Sequence, residues 1–209
     1  MDITLPAMEF DLPFAGRWFV AQAGDSLNVN HHMRVRAQWY GIDFVKTGGP
    51  GQRALSKSTG LSVEDFFSWK EPILSSVEGI VEAVADGFPD NPLGKKDAQN
   101  PAGNHVVIKA ASDRYVFIAH LQKNSIRVKR GDHIVAGQEL GACGNSGHSD
   151  CPHIHIHVQN APKLNDGEGQ NMVFQNICVE LTGKVFENVS WPLISGLVVW
   201  PGTDQSARR

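Results

Sequence analysis

Hydrophobic and polar residues alternate along several short stretches of this chain, which is the pattern of β-strands with one buried face. The clearest case is residues 152–158, in which three histidines alternate with three β-branched residues: His153, Ile154, His155, Ile156, His157 and Val158. Because side chains on a strand have a period of two, the three imidazoles are predicted to share one face. Crowded imidazoles are costly unless they bind something or exchange protons, so a divalent metal is the first hypothesis for this row.

The rest of the chain predicts further short strands separated by glycine-containing turns. Apolar or alternating stretches predict strands at residues 77–84, where two short strands meet at Gly79, and at 105–109, 115–120, 126–129 and 133–140. The strands at 105–109 and 115–120 are expected to pair as a hairpin, with residues 111–114 as the turn.

Helical periodicity is scarce in this sequence. A short helix is predicted over residues 62–69, with Ser62 as its cap and Asp65 at its third position. Residues 46–57 and 88–103, which are rich in Gly, Pro and Asn, are expected to be long loops beside a site. Together these patterns predict an all-β fold, a sandwich or barrel with one or two short helices.

Composition narrows the function classes. The length of 209 residues suits a single domain with a sizeable core. A net charge of −3, without a run of Lys or Arg, argues against a nucleic-acid partner. No apolar run approaches the roughly 20 residues of a membrane helix. The first six residues lack the basic and apolar segments of a signal peptide.

The three cysteines do not decide whether the protein works in an oxidising or a reducing compartment. Cys143 and Cys151 bracket a turn rich in Gly and Ser and could form a disulfide in an oxidising compartment. Cys178 would then have no disulfide partner. Reduced, partly buried thiols are an equally good interpretation. A cysteine-rich zinc site is not expected, because the chain has no C-x2-C pair.

Five short motifs stand out along the chain. In chain order they are Asn30-His31-His32, Tyr40-Gly41-Ile42-Asp43, Ala119-His120-Leu121, Gly144-Asn145-Ser146-Gly147 and Pro152-His153-Ile154-His155. Together they resemble the motifs of the lysostaphin-type (LytM-like) zinc endopeptidases. Residues 75–81 and 128–138 add a strand and a hairpin similar to those of the family. The resemblance covers about residues 28–160 and is specific as a combination. It implies a LytM-like, mainly antiparallel half-barrel, and residues 1–209 are expected to form one domain around this core.

The resemblance also implies a zinc site. Asp43 and His155 match two zinc ligands of the family, but the position of the first histidine ligand is occupied by Trp39, which cannot bind zinc. The chain resembles a branch that carries Asn-x-His before the aspartate, which nominates His32 as the third ligand. His31 is the alternative, and on a strand the two rings would face opposite ways, so both could not easily reach one ion.

The same resemblance implies that His120 and His153 are the catalytic pair. Two imidazoles and one carboxylate leave a zinc ion with an open position, where a water can be activated to attack a peptide bond. The H-E-x-x-H motif that would supply a glutamate base is absent, so the histidines are expected to move the protons. His157 stands where typical relatives carry Glu, and we expect it at the rim of the site rather than as a partner of the ligands.

The expected function is therefore that of a zinc-dependent endopeptidase acting on stem peptides or cross-bridges of peptidoglycan. The alternative is a catalytically degenerate relative that binds the cell wall or regulates a partner hydrolase. Retention of Asp43, His120, His153 and His155 favours activity. The resemblance suggests a periplasmic or secreted location.

Overall fold

Strands dominate the computed structural model, which describes residues 8–52, 55–110 and 114–203. In chain order the strands are β1 (Glu9–Phe10), β2 (Trp18–Gln22), β3 (Ile42–Lys46), β4 (Pro72–Leu74), β5 (Gly79–Ala85), β6 (Asn104–Ala110), β7 (Arg114–Leu121), β8 (His133–Ile134), β9 (Glu139–Ala142), β10 (Ile154–Gln159), β11 (Gly169–Gln170), β12 (Val173–Leu181), β13 (Lys184–Trp191) and β14 (Val198–Pro201). The helices within these ranges are 3₁₀ turns at His31–Arg34, Arg36–Gln38 and Val63–Asp65, and none is long or apolar enough to cross a membrane. The predicted all-β class is confirmed.

One large sheet carries most of these strands. Its order is β1-β12-β14-β2-β3-β10-β7-β6-β5-β8, with β11 paired to β10 and β13 to β12, while β4 and β9 form a separate pair. The pairings among these described strands are antiparallel except that of β1 with β12. The strand with the histidine row, β10, lies in the middle between β3 and β7. Side chains from distant parts of the chain therefore meet beside it.

The hydrophobic core covers one face of this central region. The apolar residues of β10 are buried in it together with alternate residues of the neighbouring strands: Ile42, Phe44, Val106, Ile108, Val116, Ile118, Ile154, Ile156 and Val158. Since side chains alternate along a strand, His155 and His157 project from the opposite face. The alternation predicted from the sequence is confirmed for this strand.

Two other predicted strands are also confirmed, and the turn between them lies mostly outside the described residues. Residues 105–109 and 115–120 fall within β6 and β7, which pair as predicted. The segment at 77–84 is instead one strand that begins at Gly79, and Ser75 before it exchanges backbone hydrogen bonds with Gly137 and Gln138 of the β8–β9 turn. Residues 133–140 divide into β8 and the start of β9, and 126–129 form no strand.

The helix predicted over residues 62–69 is only a 3₁₀ turn at Val63–Asp65. The Asp65 carboxylate accepts backbone N–H groups of Leu61 and Ser62, which closes the turn at its start. Phe66 is already extended and pairs with Ser56, so the chain leaves the helical path after one turn. The predicted cap is present but the helix does not continue.

Candidate active site

The candidate site forms where β3, β10 and β7 lie side by side. Asp43 on β3 is directly opposite His155 on β10, and His155 is directly opposite Ala119 on β7. His153 stands just before β10, and His120 follows Ala119. The sheet register therefore brings together four of the five residues that the resemblance nominated.

His120 reaches this face because β7 contains a β-bulge. Between the pairs Leu121–Asn104 and Ile118–Val106, β7 holds one residue more than β6. His120 has a φ of 65°, which is uncommon for a residue other than glycine. The extra residue allows Leu121 to return to the core while His120 turns towards the histidines, with its ring 4.7 Å from that of His153.

Asp43 lies at the centre of the histidine cluster. Its Oδ1 is 2.9 Å from His155 Nδ1 and 3.7 Å from His153 Nε2, and its Oδ2 is 3.0 Å from His32 Nε2. Burial alone would raise the pKa of Asp43, but the nearby rings of His32 and His153 hold that pKa well below its ordinary value. Asp43 is therefore an ionised carboxylate facing three imidazoles.

His31 and His32 belong to a 3₁₀ helix, so the expectation that they lie on a strand and face opposite ways is wrong. Their ring centroids are 4.1 Å apart, and one ligand atom from each of His31, His32 and Asp43 lies within 4.8 Å of the others. His32 is buried, and its ring is 4.5 Å from that of His155. His31 is exposed, and its Nδ1 is 3.0 Å from Gln22 Oε1. The site thus places His32 inside and His31 at its edge.

Asn30 holds this 3₁₀ helix against the strand that carries Asp43. Its side-chain oxygen accepts the N–H of His32 at 3.1 Å, and its amide donates to the carbonyl oxygens of Gly24 and Gly41 at 2.8 and 3.0 Å. At Gly41, an added Cβ would lie 3.1 Å from His155 and 3.2 Å from His32. The Asn-x-His and Gly-x-Asp motifs therefore form one packed unit.

His120 and His153 are held in the same tautomer. His120 Nδ1 lies 2.9 Å from the carbonyl oxygen of Ser146, and His153 Nδ1 lies 2.8 Å from that of Cys151. A carbonyl can only accept, so each Nδ1 donates and a neutral ring presents Nε2 as a lone pair. Burial, with His153 and His155 close by, lowers the pKa of His120 well below its ordinary value.

His157 is not at the rim, and the expectation placing it there is wrong. The residue is 1% exposed, and its ring stacks on Phe117 with 4.7 Å between centroids. Its Nδ1 is 2.8 Å from His155 Nε2, and its Nε2 is 3.2 Å from Gln159 Oε1. The alternation that puts His155 over the site also puts His157 and Gln159 on the same face, where Gln159 donates to the carbonyl oxygens of Ala161 and Lys163.

A cavity of about 660 Å³ opens on this face of the sheet. It is lined by β5, β6, β7 and two loops: Glu82, Ala83, Val84, His105, Val107, Phe117, Val128, Lys129, Arg130, Pro162, Lys163 and Leu164. Since Phe117 contacts both this cavity and His157, the cavity adjoins the histidine cluster. Among the described residues of the loops at 46–57 and 88–103, none contributes to its lining.

The donor set around Asp43 fits a zinc ion. His32 Nε2 is buried and makes no hydrogen bond within the described residues, although Asp43 Oδ2 is 3.0 Å away. A buried polar atom without a partner is costly. Two imidazole nitrogens and a carboxylate are zinc ligands that leave an open position. The three cysteines are free thiols, two of them buried, and none belongs to this cluster.

Comparisons with known proteins agree with the motifs. The model of peptidase family M23 matches residues 64–171, a range that includes His120, His153 and His155 but not His32 or Asp43. Over 79 residues, or 37% of this chain, the sequence is 33% identical to endolysin 2638A of Staphylococcus phage 2638A, and the match spans 16% of that protein.

Two solved structures align with more than three quarters of this chain. A mutant catalytic domain of the prophage-encoded M23 protein EnpA from Enterococcus faecalis is 21% identical, with a TM-score of 0.48, over 78% of this chain and 94% of that one. The catalytic domain of lysostaphin from Staphylococcus simulans is 17% identical, with a TM-score of 0.42, over 77% and 86% of the two chains.

Proposed function

Since this chain belongs to peptidase family M23, we propose that it is a zinc-dependent endopeptidase that hydrolyses peptide bonds in peptidoglycan stem peptides or cross-bridges. The observation that carries the proposal is the cluster around Asp43, in which two buried histidine nitrogens face one ionised carboxylate within 3.0 Å. His32, Asp43 and His155 would hold the metal in this assignment. His31 is the alternative to His32.

A bound zinc ion would acidify a water molecule and polarise the carbonyl of the scissile bond. The chain's own contribution is to accept the proton and return it to the leaving amine. His153 and His120 suit this role because Nδ1 of each ring is anchored to a backbone carbonyl, which leaves Nε2 as the nitrogen that can take up and release a proton. Two protonated rings with centroids 4.7 Å apart would repel, so one proton shared between them is favoured over two.

The substrate class rests on the family and on sequence similarity to a phage endolysin. The cavity beside His157 offers an apolar floor with charged side chains at its edge, including Glu82, Lys129 and Arg130. Such a surface suits a peptide that carries both methyl groups and charges, as wall peptides do. A periplasmic or secreted location would follow from this substrate.

The first test is cleavage of defined substrates. Purified zinc-loaded protein is incubated with synthetic stem peptides and cross-linked dimers, with and without a chelator, and the products are identified by mass spectrometry. We expect cleavage that the chelator abolishes and added zinc restores. His153→Gln should lower kcat by about 10²-fold or more, because general acid–base groups contribute on that order.

Zinc content measured together with cleavage separates the proposal from its alternative, a catalytically degenerate protein that binds cell wall or regulates a hydrolase. In His153→Gln the zinc content should stay stoichiometric, because this residue is not among the proposed ligands. His133→Gln, an exposed site on β8, is the control for purification and handling. Stoichiometric zinc without chelator-sensitive cleavage of any peptide in a broad panel would favour the degenerate alternative.

A further inference from the structure

The buried row on β10 continues past the proposed ligand as a chain of hydrogen bonds. His155 Nε2 is 2.8 Å from His157 Nδ1, and His157 Nε2 is 3.2 Å from Gln159 Oε1. The Gln159 amide nitrogen is 2.7 Å from the carbonyl oxygen of Ala161 and 2.6 Å from that of Lys163. All three side chains are buried, so water does not compete for these bonds.

The Gln159 amide, at the far end of this row of hydrogen bonds, has a single possible orientation. A flipped Gln159 amide is excluded, because exchanging Oε1 and Nε2 would place an acceptor against the two carbonyl acceptors of Ala161 and Lys163. The Gln159 nitrogen must therefore donate to these carbonyls. Its oxygen must face His157 as an acceptor.

The direction of every other bond follows from this orientation. An acceptor at Gln159 requires that His157 Nε2 carry a proton, and a neutral His157 then has a lone pair on Nδ1. That lone pair accepts a hydrogen bond donated by His155 Nε2–H. A neutral His155 is left with its lone pair on Nδ1, the atom that lies 2.9 Å from Asp43 Oδ1.

This tautomer matters because a lone pair and a carboxylate oxygen repel at that distance unless a cation lies between them. The stacking of His157 on Phe117, at 9° between ring planes, also fixes the plane in which the bonds point. A metal ligand whose second nitrogen is held in this way keeps its orientation and gains basicity.

We infer that Gln159 is a positioning residue that acts through His157 to fix the tautomer of His155 and so presents Nδ1 to the metal. The inference rests on the proposed zinc site but not on peptidase activity. Gln159 contacts neither the proposed metal nor a substrate. Its effect is transmitted by one buried imidazole.

The test combines zinc affinity with the protonation pattern of the histidine rings. Zinc dissociation constants are measured by competition with a chelating dye for the wild type, Gln159→Leu, His157→Phe and the double variant. We expect Gln159→Leu to weaken zinc binding by 10- to 100-fold, on the order of other residues that orient a ligand. In the His157→Phe background the same change should have an effect of less than about twofold, because the intermediary is gone.

A structural role of Gln159 would give a different result. If Gln159 merely anchored the loop at Ala161 and Lys163, its loss would weaken zinc binding equally in both backgrounds, which would overturn the inference. His157→Glu provides a second background in case His157→Phe does not fold, since a carboxylate accepts from His155 without help from Gln159. Gln138→Leu, in the turn between β8 and β9, is the matched control and should leave zinc affinity unchanged.

Nitrogen-15 NMR of the zinc-loaded protein tests the tautomer directly. We expect protonated Nε2 and unprotonated Nδ1 on both His155 and His157, and a mixture of tautomers for His157 in Gln159→Leu. A protonated His157 Nδ1 in the wild type would overturn the inference. Because neither readout involves peptide cleavage, failure of the endopeptidase proposal and failure of this inference are separately visible.

Discussion

At the scale of single residues, the histidines of this site differ in which ring nitrogen is committed. His120 and His153 donate hydrogen bonds from Nδ1 to backbone carbonyls, which leaves Nε2 for proton transfer. His155 donates from Nε2 to His157, which leaves Nδ1 for the metal. The same side-chain type can thus serve two tasks in one cluster. The partner of the second nitrogen decides between proton transfer and metal binding.

The choice between His32 and His31 is the sharpest prediction at this scale. His32→Ala should weaken zinc binding by more than about 100-fold, because removing a ligand should exceed the 10- to 100-fold cost of disturbing an orienting residue. His31→Ala, at the exposed neighbour, should cost less than 10-fold on the same reasoning. Zinc is measured by atomic emission after dialysis.

If His31→Ala instead loses the metal while His32→Ala retains it, His31 is the first ligand. Stoichiometric zinc in both variants would contradict the whole ligand set. The Met33→Ala variant, in the same 3₁₀ helix, controls for general disturbance of this turn.

Sequence motifs nominated the residues of the site, but they could not predict how His157 and Gln159 are used. The alternation over residues 152–158 placed His157 on the correct face, but it ended before Gln159. The carbonyl groups that hold Gln159 belong to Ala161 and Lys163, which lie beyond the motifs and carry no recognisable pattern. A partner that comes from a covering loop leaves no local signal in the strand.

At the scale of elements, short irregular features place the ligands where regular strands would not. The β-bulge in β7 turns His120 towards the site, and a 3₁₀ helix brings His31 and His32 to the same edge. A strand at residues 31–32 would have sent one of these rings away. Asn30, which caps the helix and donates to Gly24 and Gly41, connects this turn to β3.

Asn30 should therefore influence metal binding without touching the metal. We expect Asn30→Ala to lower the free energy of unfolding by about 1–2 kcal/mol, since it removes a helix cap and leaves buried carbonyls unpaired. It should also weaken zinc binding by about 10-fold, because His32 loses its anchor. Chemical denaturation and dye competition measure the two effects.

The matched control is Asp65→Ala, which removes the corresponding contacts at the exposed 3₁₀ turn Val63–Asp65. That variant should lose some stability and no zinc affinity. Unchanged zinc affinity in Asn30→Ala would contradict the role of Asn30 in holding His32.

Strands with clean alternation were predicted well, whereas elements that depend on their neighbours were not. β6, β7 and β10 match the sequence patterns because each has one face in the core. The stretch at 62–69 has helical composition, but pairing of Phe66 with Ser56 ends it after one turn. Neither this pairing nor the bulge at His120 is encoded in local periodicity.

At the scale of the whole molecule, the strands after residue 160 extend the sheet beyond the strand that carries Asp43. β12 pairs with β14, β14 with β2, and β2 with β3, so these C-terminal strands lie in the same sheet as Asp43. We propose that residues 1–209 form one domain, as the sequence suggested, and that the strand of Asp43 depends on these later strands for its position.

The number of buried histidines makes stability depend on pH in a definite direction. Burial lowers the pKa of His105, His120, His155 and His157, and that of His155 falls to about 4. The unfolded chain binds these protons near the ordinary value of about 6.5, so it takes up protons before the folded state does. Stability is therefore full above pH 6.5 and is lost as the pH falls towards the folded-state values.

We expect urea unfolding of the metal-free protein to show a steady loss of stability between pH 6.5 and 4.5. Each histidine contributes up to about 1.4 kcal/mol per unit of pKa shift. His105→Gln, outside the proposed ligand set, should flatten this dependence, because glutamine binds no proton in either state. His133→Gln, at an exposed position on β8, is the matched control and should leave the slope unchanged. Constant stability across this range would mean that the buried rings gain protons in the folded state as readily as in the unfolded chain, which their burial argues against.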